Sequence, residues 1–389
     1  MKKKLLAVAL AGLGTALAFP ANAEIKLSGK FYPAVVSFSG GEASDGKAAT
    51  STLFNDGGGD VDQPKVEAFN SNIRLSGEGD AGGGVTFYFQ CETDLNFDDD
   101  EGTWCGRNSA LGVKGGFGRV FLGKWDTPFK QVHFPTNMFG VSSGSPLSNS
   151  NLLSRTPYSG GSSAASFHRR QANMVQYWSP NLNGLQFKVM WGTEESDTAT
   201  RERRRKSASV EWEQGPLYLA AAYEIHDDFN GATTGLGGAF TAGVGPSSED
   251  TGLALVAVYK LGKSTEIGVE FESLSYENDT GAAGAVSKYE RDAWRVGVEH
   301  KIGKWILGAS FGMADEGDCS LFGGGACSTS DLGATQMSIG GMYQFAKNLG
   351  WYLWYTQIDN DDSASYSFLD DTPTGADPSA IAIGLYGRF

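Results

Sequence analysis

Apolar residues recur at every second position through short stretches of this chain. Val85, Phe87 and Phe89 alternate with Thr86, Tyr88 and Gln90, and Leu185, Phe187, Val189 and Trp191 alternate with Gln186, Lys188 and Met190. Leu217, Leu219, Tyr223 and Ile225 lie opposite Tyr218, Glu224 and His226, and Trp294, Val296 and Val298 oppose Arg295 and Glu299. A period of two puts successive side chains on opposite faces, so each stretch predicts a strand with one apolar and one polar face. Brief reversals rich in Gly, Asn or Pro separate them, near residues 80–82, 115–116, 180–183, 214–216, 261–263, 302–304 and 347–349. Long polar connections fall at about 39–65, 93–106, 126–169, 193–206, 227–250, 277–288, 315–332 and 360–378. Seven short turns and eight long connections join sixteen strands.

A soluble β-sandwich also alternates, but it offers loops of similar length at both ends, whereas here every second connection is short. The strands run to about ten residues, enough to cross a bilayer when tilted. The pattern therefore predicts an all-β, transmembrane antiparallel barrel, with lipid outside and water inside. Aromatics near strand ends, such as Tyr177, Trp178, Trp191, Trp212, Trp294 and Trp305, suit interfacial girdles. A strand in hydrocarbon cannot leave its edge groups unpaired, so the last strand must bond the first. That closing strand is AIAIGLYGRF, with Ile381, Ile383 and Leu385 toward lipid, meeting IKLSGKFYPAVV at 25–36. Two segments, LALVAVYKL (253–261) and GWYLWY (350–355), are apolar on both faces and are expected at a protein–protein contact.

Composition refines this picture. Lys2, Lys3 and Lys4, an apolar run from Leu5 to Phe19 and Ala21-Asn22-Ala23 describe an export signal over 1–23, leaving a single barrel domain over 24–389. The formal net charge of −14 becomes more negative once those lysines are removed, which disfavours a nucleic-acid partner. Four cysteines form two local pairs, Cys91 with Cys105 and Cys319 with Cys327, which in an exported chain favours two loop-stapling disulfides.

The segments NSNIRLSGEGDAGGGVTFYFQCE (70–92), RNSALGVKGGFGRVFLGKWDTPFK (107–130) and RQANMVQYWSPNLNGLQFKVMWG (170–192) resemble the Gram-negative general porins, as does the terminal GLYGRF. The resemblance implies a homotrimer of sixteen-stranded barrels in the cell outer membrane, with short periplasmic turns, long extracellular loops and the third loop folded into the lumen. It implies passive diffusion of small hydrophilic solutes and ions, contact with lipid and lipopolysaccharide, and recognition of Phe389 by the barrel-assembly machinery. Matching by motif puts the basic constriction wall on Arg74, Lys124 and Arg170. Alternation sets Arg74 and Arg170 on polar faces, whereas Lys124 falls in phase with Val120 and Leu122 and needs an irregularity to point inward. No Asp or Glu occurs from Thr127 through Thr193, so the inserted loop lacks the acidic partner usual in the family. Instead it offers Lys130, His133, Arg155, His168 and Arg169, and an anion-preferring constriction is expected.

Catalytic readings are weaker. GRVFLGKW (118–125) approaches a phosphate-binding loop, but Trp125 replaces the hydroxyl that would hold magnesium. No G-x-S-x-G elbow is present, and the four histidines are widely spaced with no H-x-x-x-H among them, so no metal site or cofactor is expected. The alternatives to a general channel are a substrate-specific anion channel and a hydrolase built on a barrel.

Overall fold

The computed structural model describes residues 24–41, 64–96, 102–140, 145–158, 166–195, 202–229, 247–368 and 372–389. The expected export signal over 1–23 lies outside them. Sixteen strands form one closed antiparallel barrel. Strand β1 runs in two pieces, Glu24–Phe31 and Ala34–Ser39, and β2 in two, Lys65–Glu67 and Asn72–Gly82. The next strands are β3 (Val85–Asp94), β4 (Ser109–Gly115), β5 (Gly118–Asp126), β6 (Arg170–Trp178), β7 (Leu185–Thr193) and β8 (Arg204–Gln214). Then come β9 (Leu217–Asp227), β10 (Ser248–Leu261), β11 (Thr265–Asn278) and β12 (Val286–Ile302). Strand β13 (Trp305–Ala314) is prolonged by Asp318–Leu321, and β14 (Ala334–Ala346), β15 (Leu349–Asn360) and β16 (Ser379–Arg388) complete the ring.

Closure follows from hydrogen-bond demand. Strand β16 pairs with β1 from Ser379 opposite Ser39 to Arg388 opposite Lys30. The final residue continues the ladder: Phe389 N donates to Gly29 O and Gly29 N to Phe389 O, both at 3.1 Å. The Phe389 ring stacks on Phe31 with centroids 5.4 Å apart. The chain ends thus satisfy each other's backbone groups.

Side chains divide as the alternation requires. Leu111 stands opposite Leu122 on adjacent strands, and Leu353 opposite Ile383; all four belong to an exposed apolar outer band. The inner face differs between two halves of the ring. Charged side chains line the inner face of β2 to β5, while the inner face of β9 to β16 carries small and apolar residues beside the buried carboxylates Glu224, Glu270 and Glu272.

The third connection, residues 127–169, supplies the reason. It turns into the barrel at Thr127, whose side chain accepts from Lys130 N and caps a one-turn helix α1 (Pro128–Gln131) with proline at its start. Phe129, Val132 and Phe167 pack against Ala220, Ala222, Val256, Val258 and Leu274 of β9, β10 and β11. Met138, Phe139, Leu147 and Leu152 pack with Tyr352 and Trp354 of β15. The inward apolar residues of LALVAVYKL and GWYLWY are therefore covered from within by the loop, which corrects the expectation of a subunit contact for those faces. The wall is thinned to admit the loop. A Cβ on Gly308 would come 3.0 Å from the Phe139 ring, and one on Gly268 2.9 Å from Thr136.

Both cysteine pairs are bridged, Cys91 to Cys105 and Cys319 to Cys327, each stapling an outer connection to its strand. The connection expected over 193–206 gives way to β8 already at Arg204, and Arg205 is buried, donating to Glu194 at 2.5 Å. Arg201 lies outside the described residues.

Candidate functional site

The inserted loop divides the lumen. One of its sides is bonded to β8–β15, and an open cleft remains along β1–β5. Glu24, Lys26, Arg74, Ser76, Glu78, Gln90, Lys114, Arg119 and Trp125 line that cleft.

The loop cations face away from this passage, which corrects the expectation that they line it. Lys130 is buried and bonds Asp126 at 2.8 Å, one helical turn back along the chain. His133 Nδ1 lies 2.8 Å from Glu270 Oε1, and its Nε2 lies 2.9 Å from Glu272 Oε1. His168 Nε2 approaches the same Glu272 oxygen at 2.5 Å. Arg155 donates to the Ser367 carbonyl at 2.6 Å, and Arg169 sits beside the carboxylates of Glu224 and Glu194. The physical reason is charge matching. A loop without acids, inserted beside β9–β12, meets the inward carboxylates Glu224, Glu270, Glu272 and Glu299. Burying those carboxylates costs several kcal/mol each unless something bonds them. Arg295 binds Glu270 at 2.9 Å, and Phe139 N donates to Glu299 at 2.5 Å. Basic groups on the loop and acidic groups on the wall cancel, the reverse of the arrangement that the resemblance implied.

Arg291 anchors the far part of the loop. Its guanidinium donates to the carbonyls of Leu152 at 2.9 Å and Leu153 at 2.5 Å, and through Nε to Arg155 at 2.8 Å. Tyr32, between the two pieces of β1, packs on Tyr352 and Tyr386, its hydroxyl donating to Phe139 O at 3.1 Å while accepting from Arg388 Nη2 at 3.1 Å. The loop is thereby tied both to the first strand and to β12. Phe139 sits at φ 53°, in the left-handed region that a bulky side chain rarely enters, and its ring is buried against the wall.

Of the three motif-matched wall residues, two face inward. Arg74 bonds Glu92 through Nε at 2.8 Å, yet its side chain stays 43% exposed to the cleft. Arg107, absent from the sequence-based set, bonds the other Glu92 oxygen at 2.7 Å and Asp94 at 2.5 Å. Two guanidiniums therefore share one buried carboxylate. Arg170 donates to Asn108 Oδ1 at 2.9 Å and lies 3.5 Å from Asp126. Lys124 is the exception: it shares an outer groove with Leu122, Asn173, Val175 and Trp191, whereas Trp125 lines the cleft. Its alternation phase is kept because the register shift is absorbed in the partner strand around Asn173, at φ 49°. Lys26, Lys114 and Arg119 were also missed. Lys114 bonds Glu78, and Arg119 stacks over Trp178 at 4.7 Å. Their inward phase was the available signal, since each alternates with lipid-facing neighbours.

A closed ring of sixteen strands, greasy outside, with a loop folded into a wet and charged interior, defines a membrane channel of the β-barrel type. The chain matches the family model described as Gram-negative porin over residues 7–363, and it belongs to that family. It is 26% identical over 204 residues to the major outer membrane protein P.IB of Neisseria gonorrhoeae, covering 52% of this chain and 51% of that protein. Outer membrane porin protein 32 of Delftia acidovorans is 23% identical over 334 residues, covering 83% of this chain and 85% of that one. The chain thus spans about half the length of the first of these relatives and most of the second. Among solved structures, the anion-selective porin from Comamonas acidovorans superposes with a TM-score of 0.71 at 16% identity, covering 95% of this chain and 100% of that one, a likeness of fold.

Proposed function

We propose that this protein is an outer-membrane channel for passive diffusion of small hydrophilic solutes and ions, and that its passage favours anions. The observation that carries the selectivity is the cancellation of the loop's charge. With Lys130, His133 and His168 bonded to Asp126, Glu270 and Glu272, the loop presents little net field. The opposite wall then decides, and it carries Lys26, Arg74, Lys114 and Arg119 against Glu24 and Glu78 in the cleft. Glu92 and Asp126 are buried, each shared with more than one cation. A confined passage with low-dielectric walls focuses such a field, and the acidic outer loops are screened beyond about 8–10 Å at physiological salt. Family membership and the motif match also support a homotrimer exported by a signal over 1–23, assembled through Phe389 by the barrel machinery and seated among lipid and lipopolysaccharide. The same membership supports a conduit rather than an enzyme.

Reversal potential across a planar bilayer under a salt gradient tests the selectivity. Anion preference is expected, weakening stepwise in Lys26→Gln, Arg74→Gln and Arg119→Gln. Cation preference in the unaltered protein would overturn it. Saturable current with one organic anion would instead identify a substrate-specific channel.

A further inference from the structure

The two ends of the inserted loop meet at one point on β11. His133 stands at the loop's beginning and His168 at its end, and both direct Nε2 at Glu272 Oε1, at 2.9 and 2.5 Å. The three ligand-type atoms all lie within 4.8 Å of one another. All three residues are more than nine-tenths buried.

The hydrogen bonds around the cluster fix its chemistry. Glu270 Oε1 accepts from Asn149 Nδ2 at 2.7 Å and from the Thr136 hydroxyl at 2.5 Å, so it is an acceptor toward His133 Nδ1 as well. The Nδ1 proton therefore belongs to the bond with Glu270, while without a metal both Nε2 atoms carry protons toward Glu272, which an incoming cation displaces. Glu272 Oε2 has no hydrogen-bond partner among the described residues, which leaves a free carboxylate lone pair beside the two imidazoles. Two imidazole nitrogens and a carboxylate thus converge in a buried pocket walled by the Phe129 ring, 5.9 Å from His133 and 6.1 Å from His168. A carboxylate holding the far nitrogen of a ligating imidazole is the outer support that metal-bound histidines use.

We infer that His133, His168 and Glu272 form a binding site for a borderline divalent cation of the zinc type, which would staple both ends of the inserted loop to the barrel wall. Two imidazole nitrogens and a carboxylate oxygen suit such ions, at about 2.0–2.2 Å per ligand. Around a tetrahedral ion those lengths set ligand atoms roughly 3.3 Å apart. The two spacings to Glu272 need only widen by under about 1 Å, a matter of side-chain rotation. A fourth position is left for water. The site concerns what holds the loop and does not depend on which solutes pass.

The test titrates the full mature chain, folded in detergent, with Co2+ as the probe. One Co2+ per chain is expected, with the intense visible bands of low-coordinate nitrogen ligation, displaced by Zn2+. The bands should vanish in the His133→Ala/His168→Ala double variant and bind about tenfold more weakly in Glu270→Gln, which removes the outer carboxylate. Circular dichroism and insertion into bilayers check that each variant folds; should the double variant fail, His168→Gln takes its place. X-ray absorption of the unaltered complex counts imidazoles without any variant: two are expected. Absence of the bands in excess Co2+, bands equal in wild type and variants, or no imidazole in the absorption spectrum would overturn the inference and place the cobalt on the acidic outer loops.

Discussion

At the residue scale, small groups under the loop matter as much as charged ones. Gly308 faces Met138 and Phe139 with no room for a side chain. Gly308→Leu is expected to lift the Met138–Gly140 turn off the wall and press it into the cleft, lowering single-channel conductance in bilayer recordings. Glu92 is the charged counterpart, buried between Arg74 and Arg107. Glu92→Gln takes the carboxylate from Arg74 while Arg107 keeps Asp94, so stability should fall by about 1–3 kcal/mol while anion preference rises. Urea unfolding in detergent measures the first effect and reversal potential the second. A fall in stability with unchanged selectivity would mean that Arg74 does not reach the permeating ions.

At the element scale, the strands were legible in the sequence because each has to be striped to separate lipid from water. Short turns were legible from Gly, Asn and Pro, and local pairing of the cysteines from proximity. What the alternation hid was the course of the loop. His133 meets Glu270 across 137 positions, a pairing that no local pattern encodes. Of the double apolar faces of β10 and β15, the inward one is covered by the loop inside the ring. Arg107 escaped because its role depends on Glu92 and Asp94 of the neighbouring strand. The staple between Cys91 and Cys105 holds the connection that positions Arg107. Replacing both cysteines by serine should cost about 2–3 kcal/mol in the loop-closure account and raise amide exchange over residues 102–108.

At the scale of the whole molecule, charge is sorted by place: basic in the cleft, acidic at the rim. Among the described rim residues, burial raises the Asp361 carboxyl above its usual range, helped by Glu316 and Asp331 nearby, and Asp315 is raised chiefly by burial too. A carboxylate raised in the folded state favours the protonated form there. Its contribution is present near pH 4 and lost as pH climbs through the raised value. Loops 315–333 and 361–368 should thus show higher protection factors, corrected for intrinsic exchange, at pH 4 than at pH 7. Equal protection at both would mean that the rim carboxylates do not repel one another.

The thinned wall beneath the loop carries one consequence for descent. A bulkier residue on either partner is tolerated only if the other shrinks, so variation at Phe139 and Gly308 must arrive in compensating pairs. Related channels that widened their bore by shortening this insertion would inherit a hollow opposite it, to be refilled by larger side chains before the cylinder regains its stiffness.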